Sequence, residues 1–156
     1  MTMPASVKEY LRQQGVHYDL ITHAHTGDSM RTAGAAHVPG DLLAKSVMLE
    51  DATGYVMAVV PSTHRIDLGV LRQQLDRRLG LATEAELGDL FRDCERGAVP
   101  PLGAAYGIET VVDDSLAQCR DVYFECGDHV DLVHVSGADF MRLMEGARRG
   151  QFSHHV

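Results

Sequence analysis

The chain has little cysteine, no long apolar segment and few positive charges. Three cysteines in 156 residues form an odd set without a CxxC pair, a usage typical of a reduced compartment. The longest apolar stretches, such as YVMAVV at residues 55–60, are far shorter than the roughly 20 residues of a membrane span. The N-terminal segment MTMPASVKEY has no apolar core of signal-peptide length. These absences predict a reduced, cytoplasmic protein without a membrane partner.

The charge balance excludes further classes of protein. Lysine and arginine number 14 against 22 acidic residues, which gives a formal net charge of −8. A general nucleic-acid coat protein needs a basic field to displace counterions from phosphate, so neither this class nor a DNA partner is expected. Local basic patches remain compatible with the total. The sequence also has no GxxxxGKS/T or GxGxxG loop, HExxH pair or GxSxG elbow, and no resident cofactor is predicted.

Apolar periodicity and breaker residues divide the chain into short elements. Helices are predicted at residues 4–14, 29–37, after 67, after 83 and after 136, and strands at residues 17–22, 42–50, 55–61, 108–112, 121–126 and 130–136. Several strands follow one another through local turns rather than in strict βαβ alternation, which indicates an α+β fold. We expect a single compact domain over residues 1–156, with interspersed helices and a mixed, curled, barrel-like sheet of about six strands. The tail from about residue 147 is expected to be frayed.

One charged residue interrupts the first strong strand, LLAKSVMLE at residues 42–50. In a strand, Lys45 shares a face with Val47 and Leu49. A lysine on an apolar face usually extends its ammonium group to water at the edge of the sheet. The alternative is a cation held in a pocket, where it would bind a phosphate or a carbonyl oxygen. From spacing alone, both interpretations stay open.

The segment GAVPPLGAAYG at residues 97–107 holds three glycines and two prolines, too many breakers for a regular element. Glycines let a backbone approach a ligand closely, and prolines hold a loop in one shape, so free amides here could donate to an oxyanion. The available amides belong to Gly97, Ala98, Val99, Leu102 and Gly103. A rigid connector without a ligand is the alternative.

Nine histidines raise the question of a metal site. His23 and His25 lie two residues apart, and His154 and His155 are adjacent in the tail. None of them has the spacing of a known zinc motif, so we predict no metal and expect His23 and His25 to be polar residues at a rim. The turn that contains His129 is expected beside a sheet end, where it could border a site. The three cysteines lack the partners of a catalytic thiol and are expected to be buried spectators.

The order of these features resembles the YbaK and prolyl-tRNA-synthetase-associated editing domain family. The likeness extends from about Val7 to Leu143, and the matching segments are AKSVMLED, VMAVVPSTHRIDL, LFRDCERGAVPPLG, VVDDSL and VYFECGDH. The resemblance implies a compact mixed α/β domain around a curled sheet, in agreement with the pattern of elements. It also implies a function, because characterised members of the family hydrolyse the ester of a mischarged aminoacyl-tRNA.

Carried over residue by residue, the resemblance places the family's functional lysine at Lys45, which favours the pocket interpretation. The family's substrate loop falls on Gly97, Pro100, Pro101 and Gly103. Ser46, at a position where some subgroups have asparagine, and His129 are further substrate-binding candidates. The segment from Phe124 to His129 matches neither the alanine-specific nor the cysteine-specific subgroup, so the resemblance leaves the amino acid open.

The implied function is that of a free-standing trans-editing deacylase acting on tRNA mischarged with a small amino acid, such as alanine, serine, threonine, cysteine or proline. The ester is already activated, so binding the 3′ end, positioning water and stabilising the oxyanion would suffice without a metal or a covalent nucleophile. Lys45 would fix a phosphate or the carbonyl oxygen.

The implied partner is the acceptor 3′ end of aminoacyl-tRNA, and an aminoacyl-tRNA synthetase is a further candidate. The arginines expected to meet the RNA backbone are Arg31, Arg65, Arg72, Arg77, Arg78, Arg148 and Arg149. Two other functions stay open: a non-catalytic module that keeps the pocket and binds a nucleotide, tRNA or synthetase, and a metal-dependent hydrolase that uses the histidines.

Overall fold

Short helices and short strands alternate through the part of the chain that the computed structural model describes, residues 3–24 and 29–156. Within these ranges the helices are α1 (Ala5–Gln14), α2 (Ser29–Ala36), α3 (Leu68–Leu75), α4 (Glu84–Leu90), α5 (Asp114–Ala117) and α6 (Gly137–Leu143). The strands are β1 (Asp19–Thr22), β2 (Leu43–Asp51), β3 (Gly54–Pro61), β4 (His64–Ile66), β5 (Gly80–Leu81), β6 (Glu109–Asp113), β7 (Asp121–Glu125), β8 (Asp131–Ser136), β9 (Arg148–Gly150) and β10 (Ser153–His155). Two 3-10 helices span Gly40–Leu42 and Gly103–Tyr106. None of the helices in these ranges combines the length and the apolar character that a membrane crossing requires.

One mixed sheet of eight strands carries the fold. Its path runs β1-β8-β7-β2-β3-β6-β9, and β5 pairs with β2 beside this path. β2 and β3 form an antiparallel hairpin at the centre, while β3 pairs with β6, and β2 with β7, in parallel. β4 and β10 form a separate two-stranded sheet. The predicted α+β class and mixed sheet are therefore confirmed, but the sheet has more strands than the sequence indicates and it is not closed into a barrel.

Alternation along β2 assigns its side chains to two separate cores. Ala44 and Met48 pack into the larger hydrophobic cluster, and Val47 and Leu49 pack on the other face into a smaller one. A shift of one residue would exchange these faces, so the burial of several apolar side chains, each worth about 1.5–3 kcal/mol, fixes the register of the strand. Lys45 therefore belongs to the face of the smaller cluster, as the alternation predicts.

Side-chain caps mark the starts of α4 and α6, whereas α3 starts without one. Thr83 and Glu86 form a capping box at α4, in which each side chain accepts the other's backbone N–H, at 3.2 and 3.0 Å. Ser136 caps α6 through a similar bond. Asp67, which precedes α3 and is a residue type that often caps helices, makes no side-chain cap bond there, and its carboxylate lies 3.0 Å from His154 instead.

The end of the chain packs against the rest of the molecule. Phe152 is 1% exposed, its N–H donates to Asp113 Oδ1 at 3.0 Å, and its carbonyl oxygen accepts from the N–H of Asp67 at 2.7 Å. β9 pairs with β6, and β10 pairs with β4. The expectation of a frayed tail from about residue 147 is corrected, because these residues find partners that are distant in sequence.

Candidate active site

β2 and β7 run side by side for a short distance and then part. They pair in parallel at two positions, of which the second is Ala44↔Phe124. Along the same edge, β2 next pairs with β5 from Leu49. The opening between residues 45–48 of β2 and residues 125–129 is called the fork below. Crevices where neighbouring strands separate are common ligand sites, and the fork contains several of the residues that the sequence singles out.

The glycine-proline loop, residues 97–103, lies across the fork and is attached to both of its sides. Ser46 Oγ donates to the carbonyl oxygen of Val99 at 3.1 Å. From the other side, His129 Nε2 donates to the carbonyl oxygen of Arg96 at 2.5 Å; this nitrogen carries a proton, because a carbonyl group can only accept. Ser46 and His129 thus hold the loop in place, and their expected contact with a substrate stays a prediction.

The loop itself is partly built into the core. Pro100 and Pro101 are buried, whereas Gly97 is exposed and has a φ of 81°, a left-handed conformation that favours glycine. The N–H of Ala98 donates to the carbonyl oxygen of Glu95 at 3.1 Å. This amide is therefore already engaged, which removes one of the five predicted oxyanion donors.

Gly103 occupies a position where packing demands glycine. It is buried, and a Cβ atom there would overlap Thr110 Oγ1 and lie 2.9 Å from the carbonyl oxygen of Ile108. The N–H of Ile108 donates to the carbonyl oxygen of Gly103 at 2.9 Å, which ties the loop to the start of β6. The absence of a side chain at Gly103 therefore has a structural explanation that requires no ligand.

Lys45 lies on the face of β2 opposite to the loop contact of Ser46. Its Nζ donates to the carbonyl oxygen of Ser62 at 3.4 Å. The side chain borders a cleft of about 270 Å³ whose other lining residues are Val47, Leu49, His64, Arg65, Ile66, Leu68 and Leu81. Residues 97–103 are not part of that lining. Lys45 and Ser46, the residue that holds the predicted loop, are thus consecutive in β2, and their side chains lie on opposite faces of the strand.

The surroundings of Lys45 favour an ammonium group of reduced basicity. The side chain is half-buried, and this burial, together with the positive charge of Arg65, lowers the pKa of Lys45 below its ordinary value. The stem packs beside Val47 and Leu49 while the head group reaches a concave surface. A cation in such a cleft is less hydrated than one at a free surface and is suited to bind an anionic or carbonyl oxygen.

A buried polar cluster lies at the base of the fork, and sequence reasoning missed most of it. Glu125 is 4% exposed, and its Oε1 accepts from Thr32 Oγ1 of α2 at 2.7 Å and lies 3.5 Å from His129 Nδ1. Burial raises the pKa of Glu125, against the lowering effect of Thr32 and of the neighbouring imidazoles. A carboxylate inside the apolar strand VYFEC was the available signal, but nothing local pointed to Thr32 as its partner.

The histidines do not assemble into a metal centre in residues 3–24 and 29–156, where no group of three or more His, Cys, Asp or Glu side chains could hold an ion. His23 is buried, and its Nδ1 donates to the carbonyl oxygen of Ala24 at 2.7 Å. His25 lies outside the described residues. His154 and His155 flank β4, each close to an aspartate.

The cysteines are protonated thiols in poor positions for nucleophilic catalysis. Cys126 is buried, while Cys94 and Cys119 are partly accessible, which corrects the expectation that all three are buried. Burial raises the pKa of Cys94 to about 12 and raises the pKa of the other two thiols as well. Since the thiolate is the nucleophilic form, such thiols are unreactive near neutral pH.

Comparison with known proteins relates this geometry to one family and to several solved structures. The sequence model described as the aminoacyl-tRNA editing domain matches residues 23–143, which include the fork, the loop and Lys45. No curated protein matches the chain in sequence.

Three crystal structures share the fold. A hypothetical protein has a TM-score of 0.84 at 22% identity, over 96% of this chain and 99% of its own. A candidate trans-editing enzyme for prolyl-tRNA synthetase has a TM-score of 0.83 at 21% identity, over 98% of this chain and 99% of its own. A candidate signal transduction protein from Marinobacter aquaeolei VT8 has a TM-score of 0.79 at 22% identity; 97% of this chain is covered, which spans 31% of that protein.

Proposed function

Since the chain belongs to the aminoacyl-tRNA editing domain family, we propose that it is a free-standing trans-editing deacylase of the YbaK and prolyl-tRNA-synthetase-associated type. It hydrolyses the ester that joins a small, wrongly attached amino acid to the 3′ end of tRNA. The observation that carries the proposal is the family match over residues 23–143, which spans both faces of β2 at Lys45 and Ser46.

The size of the Lys45 cleft supports a small substrate group. Its volume of about 270 Å³ lies just below the range of about 300–1,000 Å³ that is usual for sites of drug-sized ligands. Such a space suits an aminoacyl group and its ribose better than a whole nucleotide. Because editing sites discriminate by steric exclusion, the side chains admitted would be those of alanine, serine, threonine, cysteine or proline.

Hydrolysis of the aminoacyl ester needs few catalytic groups from the protein. Water attacks the carbonyl carbon, the bond to the ribose oxygen breaks, that oxygen takes up a proton, and the amino acid leaves with a free carboxylate. Lys45 Nζ donates to the oxygen that becomes negative, a kind of contact whose loss typically lowers turnover by about 10²–10³-fold. A neighbouring hydroxyl of the substrate ribose orients the water. No covalent nucleophile is required because the ester is already activated.

Ser46 and His129 act in this proposal by positioning. Their bonds to the carbonyl oxygens of Val99 and Arg96 set the loop against the two sides of the fork. Because the loop lies on the face of β2 opposite to Lys45, it would act on the cleft through this strand rather than by direct contact with the aminoacyl group held there. A fixed loop keeps β2, and with it Lys45, in one position before the substrate arrives, which lowers the entropic cost of binding.

The experiment that tests the function is deacylation of tRNAs charged with alanine, serine, threonine, cysteine or proline. The chain has two lysines, Lys8 and Lys45, so a matched pair of variants is available. Lys45→Met keeps an apolar stem but removes the charge, and Lys8→Met makes the same change at an exposed position of α1. We expect wild type and Lys8→Met to hydrolyse one or two of these species in EDTA, and Lys45→Met to lose at least about 10²-fold.

Three results would contradict the proposal in different ways. Full turnover by Lys45→Met would remove the lysine from the mechanism. Binding of tRNA without hydrolysis of any ester, even at stoichiometric protein, would favour the non-catalytic module. Loss of activity on addition of EDTA would favour a metal-dependent hydrolase.

A further inference from the structure

Positive charge is gathered around α3 although the whole chain is acidic. This helix and the segments beside it border three concave surfaces that contain cations. Seven of the chain's 14 lysines and arginines line them. They are Lys45 and Arg65 in the first surface, Arg72, Arg77 and Arg78 in the second, and Arg148 and Arg149 in the third.

Two of these cations are neutralised by carboxylates. Arg77 lies 2.7 Å from Asp51 and 2.6 Å from Glu109, so its charge serves to tie the β2–β3 turn to β6. Arg149 lies 3.4 Å from Asp114. Neither guanidinium is free to contribute its full charge to an outside partner.

Four exposed arginines of this group, called the α3 arginines below, have no carboxylate of the described residues within 4.0 Å. They are Arg65, Arg72, Arg78 and Arg148. Backbone carbonyl groups hold two of them without neutralising them: Arg72 Nε donates to the carbonyl oxygen of Leu79 at 2.8 Å, and a guanidinium nitrogen of Arg148 donates to that of Gln74 at 3.5 Å. The second surface also contains Asp76, but the arginines there outnumber this single carboxylate, so the surface keeps a net positive charge.

The α3 arginines extend away from the Lys45 cleft. Arg65 and Leu68, the first residue of α3, both line that cleft, whereas Arg148 contacts Gln74 near the other end of the helix. A helix of eight residues is about 12 Å long, the length of a short stretch of duplex RNA. The cations therefore run beside the cleft over the length of a short duplex segment.

We propose that the α3 arginines bind the phosphate backbone of the acceptor stem while the aminoacylated 3′ end occupies the Lys45 cleft. This inference rests on the proposed function for the identity of the RNA. Guanidinium groups match phosphate through paired N–H donors, and arginines already held by carbonyl groups lose less freedom on binding.

The composition of the face favours RNA over an acidic protein. Protein interfaces usually have aromatic or large apolar anchors at their centre. On α3, Val70 is a single large apolar side chain with substantial exposure, at 40%, and isolated exposures of this kind are normal. Leu81, at 69%, lines the Lys45 cleft, which the 3′ end would occupy. An acidic protein that docks here would have charge contacts but little apolar area to bury.

The test measures binding of an uncharged acceptor-stem hairpin by fluorescence anisotropy over a range of salt concentrations. The variant is Arg78→Gln combined with Arg148→Gln. The matched control, Arg120→Gln combined with Arg92→Gln, removes the same charge at exposed positions that line none of the three surfaces. We expect the α3 variant to bind at least about tenfold more weakly and its log–log salt slope to be smaller by about 0.7–0.9 for each lost phosphate contact. The control should match wild type.

A second arm compares deacylation of charged tRNA with that of an aminoacylated adenosine that lacks the stem. The α3 variant should raise KM for the tRNA, and the effect should be confined to substrates that carry the stem. Unchanged affinity and salt slope would overturn the proposal, and so would an equal loss in the control, because the attraction would then be diffuse. If no ester is hydrolysed by wild type, the proposed function fails, but the anisotropy arm still decides whether this face binds RNA.

Discussion

Gly103→Ala is the substitution whose outcome separates a structural from a functional role of the glycine-proline loop. The new Cβ atom would overlap Thr110 Oγ1 and lie 2.9 Å from the carbonyl oxygen of Ile108. The hydroxyl can rotate away, but it then loses its 3.0 Å hydrogen bond to that same carbonyl group. The carbonyl group belongs to the backbone at the start of β6, so it cannot move away without displacing that strand.

The expected cost has two parts. Overpacking of a buried site typically costs about 1–3 kcal/mol, and loss of a hydrogen bond about 0.5–1.5 kcal/mol. We therefore expect Gly103→Ala to lower the free energy of unfolding by about 2–3 kcal/mol. For a chain of this length each kcal/mol moves the melting temperature by roughly 2–4 °C, so the shift should be about 5–10 °C.

The assay is urea and thermal unfolding followed by circular dichroism, with Thr110→Ala as the partner in a double-mutant cycle. Removal of the hydroxyl relieves the closest overlap, so the double variant should be more stable than the sum of the single changes by about 1–2 kcal/mol. Wild-type stability of Gly103→Ala would refute the packing argument. Wild-type stability together with lost deacylation would assign the glycine to substrate contact instead.

Two buried carboxylates give predictions with opposite signs in pH. Burial raises the pKa of Glu125, so the folded chain holds a proton that the unfolded chain releases, and stability should fall as pH rises from the ordinary carboxyl range through the raised pKa. Glu125→Gln keeps an acceptor for Thr32 and should remove this decline; equal slopes for the variant and wild type in urea unfolding at several pH values would contradict it. For Asp113, burial acts to raise the pKa, but the hydroxyl of Ser115 and the N–H groups of Phe152 and Ser115 lower it overall. The stabilisation that Asp113 gives the folded chain is therefore present above the ordinary carboxyl pKa and is lost as pH falls through the lowered pKa. Asp113→Asn should lower the free energy of unfolding by about 1–3 kcal/mol at pH 7 and lessen the loss in acid, and an unaltered acid transition would rule out this role.

The long central strands could be predicted from the sequence, but the shortest strands could not. β2 and β3 are each eight or more residues long, are rich in apolar residues and are joined by a polar turn, so the local pattern is enough to predict them. β4, β5, β9 and β10 contain two or three residues each, too few for any periodicity. They exist because tertiary packing brings them beside partners, as when Phe152 enters the core and places β10 next to β4.

The candidate site shows the same division. Lys45 stands out locally because a charge in an apolar strand needs a reason, and the loop stands out because of its glycines and prolines. The fork could not be predicted, since it depends on where two strands about 80 residues apart in sequence stop pairing. The contact of Thr32 with Glu125, which joins α2 to the fork, is likewise a consequence of topology.

The two faces of β2 give a physical reason for a loop so far along the chain to matter to Lys45. Ser46 fixes the loop through Val99, and the next residue toward the N-terminus places its ammonium group in the cleft on the other face. The intervening peptide is held by the full ladder to β3, in which Lys45 pairs with Val60 and Ser46 with Val59. A strand paired in this way does not rotate one residue independently of the next. Displacement of the loop would therefore be transmitted to Lys45, so the loop can influence the cleft without lining it.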